Sequence, residues 1–137
     1  PRKREVIWED RTLMVESIPL KHKVPTCGFL FTERHRDQEP RKRYAYCSDT
    51  AYREQIVEQI AGVDVLYHEA TYTEKDVDKC KKHTHSTAKQ AAQIAKLADA
   101  KKLVIGHFSA REDDHNVFLK EAKEVFENTI LRIFVNK

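Results

Sequence analysis

Apolar positions in the first 50 residues fall in short runs broken by charge, which is the pattern of strands. Glu5-Val-Ile-Trp8 and Thr12-Leu-Met-Val15 flank a polar Glu-Asp-Arg turn and predict a hairpin. Gly28-Phe-Leu-Phe31 and Tyr44-Ala-Tyr46 predict two more strands. Residues 33–43 between them carry Arg34, Arg36, Arg41, Lys42 and Arg43 around Pro40, and read as a solvated loop or, alternatively, as an arm facing phosphate. After Asp49 the period changes and strands alternate with helices. Residues 52–61 place Ile56, Val57 and Ile60 on one helical stripe with Gly62 at its end. Residues 63–67 predict a short buried strand. Residues 86–98 predict a helix whose Ala88, Ala91, Ala92, Ala95 and Ala98 face can pack close to a sheet, and Thr87 with Gln90 fits a capping box. Residues 103–105 predict a strand, Asp114 a cap for a helix carrying Phe118, Ala122, Val125 and Phe126, and residues 130–135 a closing strand. Strands first, then βαβ-type alternation, predict one α/β layer.

Composition narrows this only slightly. With 137 residues, 34% charged and 40% hydrophobic, the chain is long enough for one domain with a core, or for a piece of a larger one. No apolar run approaches the roughly 18 residues of a membrane span. The start Pro-Arg-Lys-Arg, without Met, reads as a processed or truncated product. Cys27, Cys47 and Cys80 lack zinc-finger spacing and read as free thiols of a reducing, cytoplasmic setting. A net charge of +3 permits a nucleic-acid partner without arguing for one.

The predicted strands matter because polar residues follow them. Asp49 follows Tyr-Ala-Tyr-Cys-Ser, His68-Glu69 follows Val-Leu-Tyr, His107 follows Leu-Val-Ile-Gly, and His22 follows Ile-Pro-Leu-Lys. In α/β folds such residues gather at one edge of the sheet, where active sites form. Each has a plain alternative. Asp49 suits an ordinary helix cap, and His68-Glu69 a structural pair. His22 reads alone as a loop histidine. His107 follows a glycine that allows close approach. His83 and His85, two apart, diverge on a helix and need not act together. His35 and His115 read as surface residues.

Together the segments resemble the ribonuclease Z family, tRNA 3′-end endonucleases of the metallo-β-lactamase fold. The matching stretches are Pro19-Leu-Lys-His-Lys-Val-Pro-Thr-Cys-Gly-Phe29, Ser48-Asp-Thr50, His68-Glu-Ala-Thr71, His85-Ser-Thr87 and His107-Phe-Ser-Ala-Arg111. The resemblance implies the C-terminal half of an αββα sandwich, a mixed sheet with flanking helices, over residues 1–137. It implies two zinc ions in the complete enzyme, with His22 on one, His107 on the other and Asp49 bridging. His85 would protonate the leaving 3′-oxygen, Glu69 would orient it, and His68 would support the pair. Arg111, Thr71, Ser86 and Thr87 would contact substrate phosphates or fix the loops. The implied substrate is a tRNA precursor, and the implied assembly a homodimer away from membranes. Two features depart from the family. The His-x-His-x-Asp-His motif is absent and belongs upstream. Only a short basic loop stands where the family carries a long tRNA-gripping arm, so either tRNA is gripped differently or the arm is missing from this chain. The chain alone is therefore expected to bind zinc weakly, to be inactive, and to leave one apolar sheet face exposed or covered by a second copy. Other readings are a small-phosphodiester or ester hydrolase of the same fold, or a non-catalytic interaction module.

Overall fold

In the computed structural model, residues 4–34 and 41–132 are described. They form a seven-stranded sheet in which every strand lies beside its sequence neighbour. Strands β1 (Glu5–Glu9), β2 (Leu13–Pro19), β3 (Cys27–Glu33) and β4 (Arg43–Cys47) make an antiparallel meander. From β4 onward, β5 (Val65–Glu69), β6 (Leu103–Gly106) and β7 (Thr129–Leu131) run parallel. The predicted mixed sheet is thus present, with each expected strand in place. The last was expected over 130–135, and residues 133–137 lie outside the described residues, as do 35–40 with His35. The two flanks of that charged loop are fastened. Arg34 pairs with Glu9, and the Arg43 N–H donates to Asp64 at 2.8 Å.

Among the described residues, three α-helices accompany the sheet: α1 (Val77–His83), α2 (Ala88–Leu97) and α3 (Asn116–Lys123). The buried Ala88, Ala91, Ala92 and Ala95 form the face of α2 that meets the sheet, so backbone can approach closely. Thr87 and Gln90 form the expected capping box, with reciprocal bonds of 3.0 Å. Leu30, Ala45, Cys47, Leu66, Leu103 and Ile105 fill the core between this sheet face and α2 and α3 with Phe118. The opposite face carries Phe29, Phe31, Tyr44, Tyr46, Tyr67, Val104 and Ile130 in register. It lies outside that core, and Tyr46 and Ile130 are 37% and 38% exposed.

Two local expectations change. Residues 52–61 form no α-helix, only a single tight helical turn at Glu54–Ile56 followed by further turns. Three β-branched residues weaken the helix, Arg53 gives no side-chain cap, and burial of Ile56 and Ile60 takes precedence. Helix α1 was not foreseen, because Cys80 is its only buried residue and no apolar stripe marks it. His83 closes α1. Thr84 then reverses the chain at φ 55°, and the His85 N–H donates to the Cys80 carbonyl at 3.0 Å. All three cysteines are free.

Candidate metal centre and its carboxylate hub

Strands β4, β5 and β6 are adjacent and parallel, so their carboxyl ends open on one edge of the sheet. Asp49 lies just past β4, Glu69 ends β5, and His107 follows β6 directly. Asp49 and His107 each adopt φ 61°, the left-handed region that non-glycine residues seldom enter. Gly106 before His107 is required by space, since a Cβ there would run into the Tyr67 hydroxyl. The turn after α1 adds His85 to the same edge. Asp49, Glu69, His85 and His107 each bring a potential ligand atom within 4.8 Å of the others.

Glu69 is the hub of this group and is fully buried. Its Oε1 accepts the Thr50 N–H at 2.6 Å and the His85 Nδ1–H at 2.9 Å. Its Oε2 accepts the Ser86 N–H at 3.0 Å and the Thr71 hydroxyl at 2.5 Å. Burial alone would raise the Glu69 pKa. The hydrogen bonds from His85, Thr71 and the Ser86 backbone outweigh it and hold the pKa below the ordinary carboxylate value. The same bond to Glu69 lifts the His85 pKa above its usual value, against the pull of burial. The result is a buried carboxylate facing a histidine that favours its protonated form.

His107 points Nε2 at Asp49 Oδ1, 3.3 Å away, and places Nδ1 3.0 Å from the Thr71 hydroxyl. Of the expected ligand set, Asp49 and His107 therefore meet, whereas His22 lies outside the four-residue group. Its ring sits 5.7 Å from that of His85. Its loop is tied to the Asp49–Thr50 turn by Lys21 N–H to Thr50 Oγ1 at 3.0 Å and Ala51 N–H to the Lys21 carbonyl at 2.8 Å. The donor set suits a divalent cation. Asp49 offers half-exposed carboxylate oxygens, and His107 has one nitrogen occupied and the other facing Asp49. Glu69 suits it poorly, because all four of its donors compete with an ion.

The His68 ring turns to the other side of β5 from the Glu69 carboxylate. Consecutive strand residues face opposite sides, so its ring enters the core between Cys47 and Ile105. There Nδ1–H donates to the Glu69 carbonyl at 2.8 Å, and burial holds the ring neutral. Thr71, Ser86 and Thr87 are buried and fix loops, one of the two roles expected of them. The Ser86 hydroxyl donates to the Thr50 carbonyl at 2.7 Å, and Thr87 caps α2. Arg111 is exposed on the rim and shares with Lys23 and Lys82 in depressing the His83 pKa, after partial desolvation. His115 is exposed as expected, with its ring 4.5 Å from that of Phe108. Asp114 accepts the Asn116 N–H at 3.0 Å at the start of α3. Sequence reasoning gave Thr50 no role, although its N–H is one of the four donors on Glu69. A backbone donor leaves no mark in side-chain chemistry.

Known proteins match most of this chain. Ribonuclease Z of Bacteroides fragilis (strain YCH46) is 40% identical over 173 residues, covering 95% of this chain and 57% of the relative. Ribonuclease Z of Azobacteroides pseudotrichonymphae is 46% identical over 153 residues, covering 92% of this chain and 53% of the relative. The crystal structure of the short form of human tRNase Z superposes with a TM-score of 0.75 at 28% identity, covering 96% of this chain and 44% of that one. The chain thus spans about half the length of the curated relatives it matches. Both alignments are longer than the 137-residue chain itself, so these relatives carry residues within the matched region that this chain lacks. The beta-lactamase superfamily domain matches residues 3–108. With that match over most of its length, and with these homologues, the chain belongs to the beta-lactamase superfamily and is similar within it to ribonuclease Z.

Proposed function

We propose that this chain is the C-terminal part of a zinc-dependent endoribonuclease that removes the 3′ trailer from tRNA precursors. The observation that carries the reading is the convergence of Asp49, Glu69, His85 and His107 at one sheet edge, in a chain similar to ribonuclease Z along nearly all its length. Asp49, His107 and the neighbouring His22 would hold two zinc ions, together with ligands from an upstream half. Such ions, when bound, lower the pKa of water and neutralise charge on a scissile phosphate. The chain's own residues supply the rest. Hydrolysis breaks the bond between phosphorus and O3′, leaving a 3′-hydroxyl on the tRNA and a 5′-phosphate on the trailer. His85 gives its proton to the departing O3′, and the buried Glu69 carboxylate keeps that proton available before transfer. Arg111, with Lys23 and Lys82 nearby, lines the approach of a phosphate backbone. A homodimer in the cytoplasm, a tRNA gripped either differently or by an arm that this chain lacks, and weak zinc binding by the 137-residue chain alone belong to the same proposal.

The experiment is zinc content and pre-tRNA cleavage of the longer protein, beside its Asp49→Ala variant and the 137-residue chain. Two zinc ions with trailer removal, both lost in the variant, are the expected result. Robust cleavage by the short chain would refute its dependence on an upstream half. Hydrolysis of a small phosphodiester with tRNA left intact would favour another hydrolase of the fold. A metal-free, inactive long protein would leave an interaction module.

A further inference from the structure

We propose that Thr71 is a positioning residue for His107: its hydroxyl relays the charge of Glu69 and thereby fixes which ring nitrogen of His107 carries the proton. The proposal rests on the metal centre above for its consequence, but the proton's location stands apart from any metal. Each Glu69 oxygen already accepts a backbone N–H, from Thr50 and from Ser86, and a backbone donor cannot reverse its role. A hydroxyl has one proton to give. The Thr71 proton goes to Glu69 Oε2, the shorter of its two contacts at 2.5 Å against 3.0 Å to His107 Nδ1. Toward His107 the Thr71 oxygen therefore presents a lone pair, and Nδ1 must carry the hydrogen. In the neutral ring this leaves Nε2 bare, and Nε2 is the atom that faces Asp49 at 3.3 Å.

The backbone repeats the tie. The Thr71 carbonyl accepts the Ser109 N–H at 2.9 Å, and the Ala70 N–H donates to the Gly106 carbonyl at 2.9 Å, so the Thr71 segment grips the loop on both sides of His107. Glu69 thus orients two histidines, His85 directly and His107 through Thr71. Without the hydroxyl, the ring is free to carry its proton on Nε2 and donate it to Asp49, which removes the lone pair a metal ligand needs. Metal-ligating histidines generally donate their other N–H, and losing that partner costs about 10–100-fold in metal affinity.

The first test uses the metal-free 137-residue chain labelled with 15N, read by long-range 1H–15N correlations of the imidazoles above about pH 8, beyond the ordinary histidine range. We expect His107 as the Nδ1–H tautomer in the wild type and in Thr71→Ser, and a move to Nε2–H in Thr71→Val. An Nε2–H ring in the wild type overturns the proposal whether or not any variant folds. The second test is zinc affinity by chelator competition on the longer protein. Thr71→Val should bind about 10–100-fold more weakly and Thr71→Ser close to wild type. Equal affinities in all three overturn the relay. Absence of zinc from all three would refute the metal centre, while the imidazole spectra would still decide the role of Thr71.

Discussion

Glu69→Gln tests the hub most directly, because it keeps the shape and removes the charge. Four donors converge on the carboxylate: Thr50 N–H, Ser86 N–H, His85 Nδ1–H and the Thr71 hydroxyl. A glutamine amide can turn its oxygen to one pair of donors only. Its NH2 then confronts a backbone N–H, from either Thr50 or Ser86, in a pocket with no solvent access. Hydrogen bonds to a charged group contribute about 1.5–3 kcal/mol each, and breaking a buried charged pair costs about 3–5 kcal/mol in total. We take the latter range, since the donors share one acceptor and their contributions do not add. With a urea m-value of about 2 kcal/mol/M, the unfolding midpoint should fall by about 2 M. The assay is equilibrium urea unfolding at neutral pH, followed by far-UV circular dichroism because Trp8 is 58% exposed and reports poorly on the core. Glu112→Gln, which loses a surface pair with Lys75, should leave the midpoint where it is. A shift for Glu69→Gln below about 0.5 M would refute the reasoning, because the donors would then not depend on an ionised carboxylate.

One further outcome follows from the His85–Glu69 pair and another from the packing of Gly106. The His85 pKa is raised by Glu69, so the stability the pair adds is fully present below the ordinary 6.5 and disappears as pH rises through the raised value. The Glu69 pKa is lowered, so its share is present above 4.5 and lost as pH falls through the lowered value. The stability gap between wild type and His85→Gln, measured from pH 4 to 9, should therefore close on the alkaline side, and a constant gap would exclude the pairing. Gly106→Ala should cost about 1–3 kcal/mol by thermal unfolding, since the new Cβ meets the Tyr67 hydroxyl and lies 3.2 Å from the Arg132 Cβ. Tyr67→Phe in the same chain should recover part of that loss, and an undiminished cost in the double variant would rule out this clash.

The sheet was legible because its strands announce themselves by apolar runs, and α2 because Thr87, Gln90 and the alanine stripe agree with one another. The candidate site was legible as residue types, since Asp49, Glu69, His85 and His107 each stand where a strand or turn ends. What stayed hidden depends on partners distant in sequence. The side of β5 on which His68 lies follows from the pleat, but its burial required knowing that α2 covers that side. Thr71 reads as either a phosphate contact or a loop tie until Glu69 and His107 are seen on either side of it. The stripe Ile56, Val57 and Ile60 has helical spacing, yet each residue is β-branched, and the chain takes turns that bury Ile56 and Ile60 instead.

The backbone itself distinguishes the residues that face the opening from those that hold them. Asp49, Thr84, Asp99 and His107 all have positive φ, so strain by itself marks no site. Thr84 and Asp99 follow helices α1 and α2, where a left-handed residue ordinarily ends a helix. Asp49 and His107 instead follow the parallel strands β4 and β6, which flank β5 on either side. A glycine would adopt the same turn without the Cβ conflict but would bring no side chain to the sheet edge. Turning left-handed lifts Asp49 and His107 out of the strand direction until they face each other at 3.3 Å. Glu69, on the strand between them, keeps extended geometry and stays buried beneath the pair. Two bent ends and one straight end thus give two half-exposed groups above a fully buried carboxylate. All four donors that hold the carboxylate, from Thr50, Thr71, His85 and Ser86, belong to this chain, and they fix Glu69 in one orientation beneath Asp49 and His107.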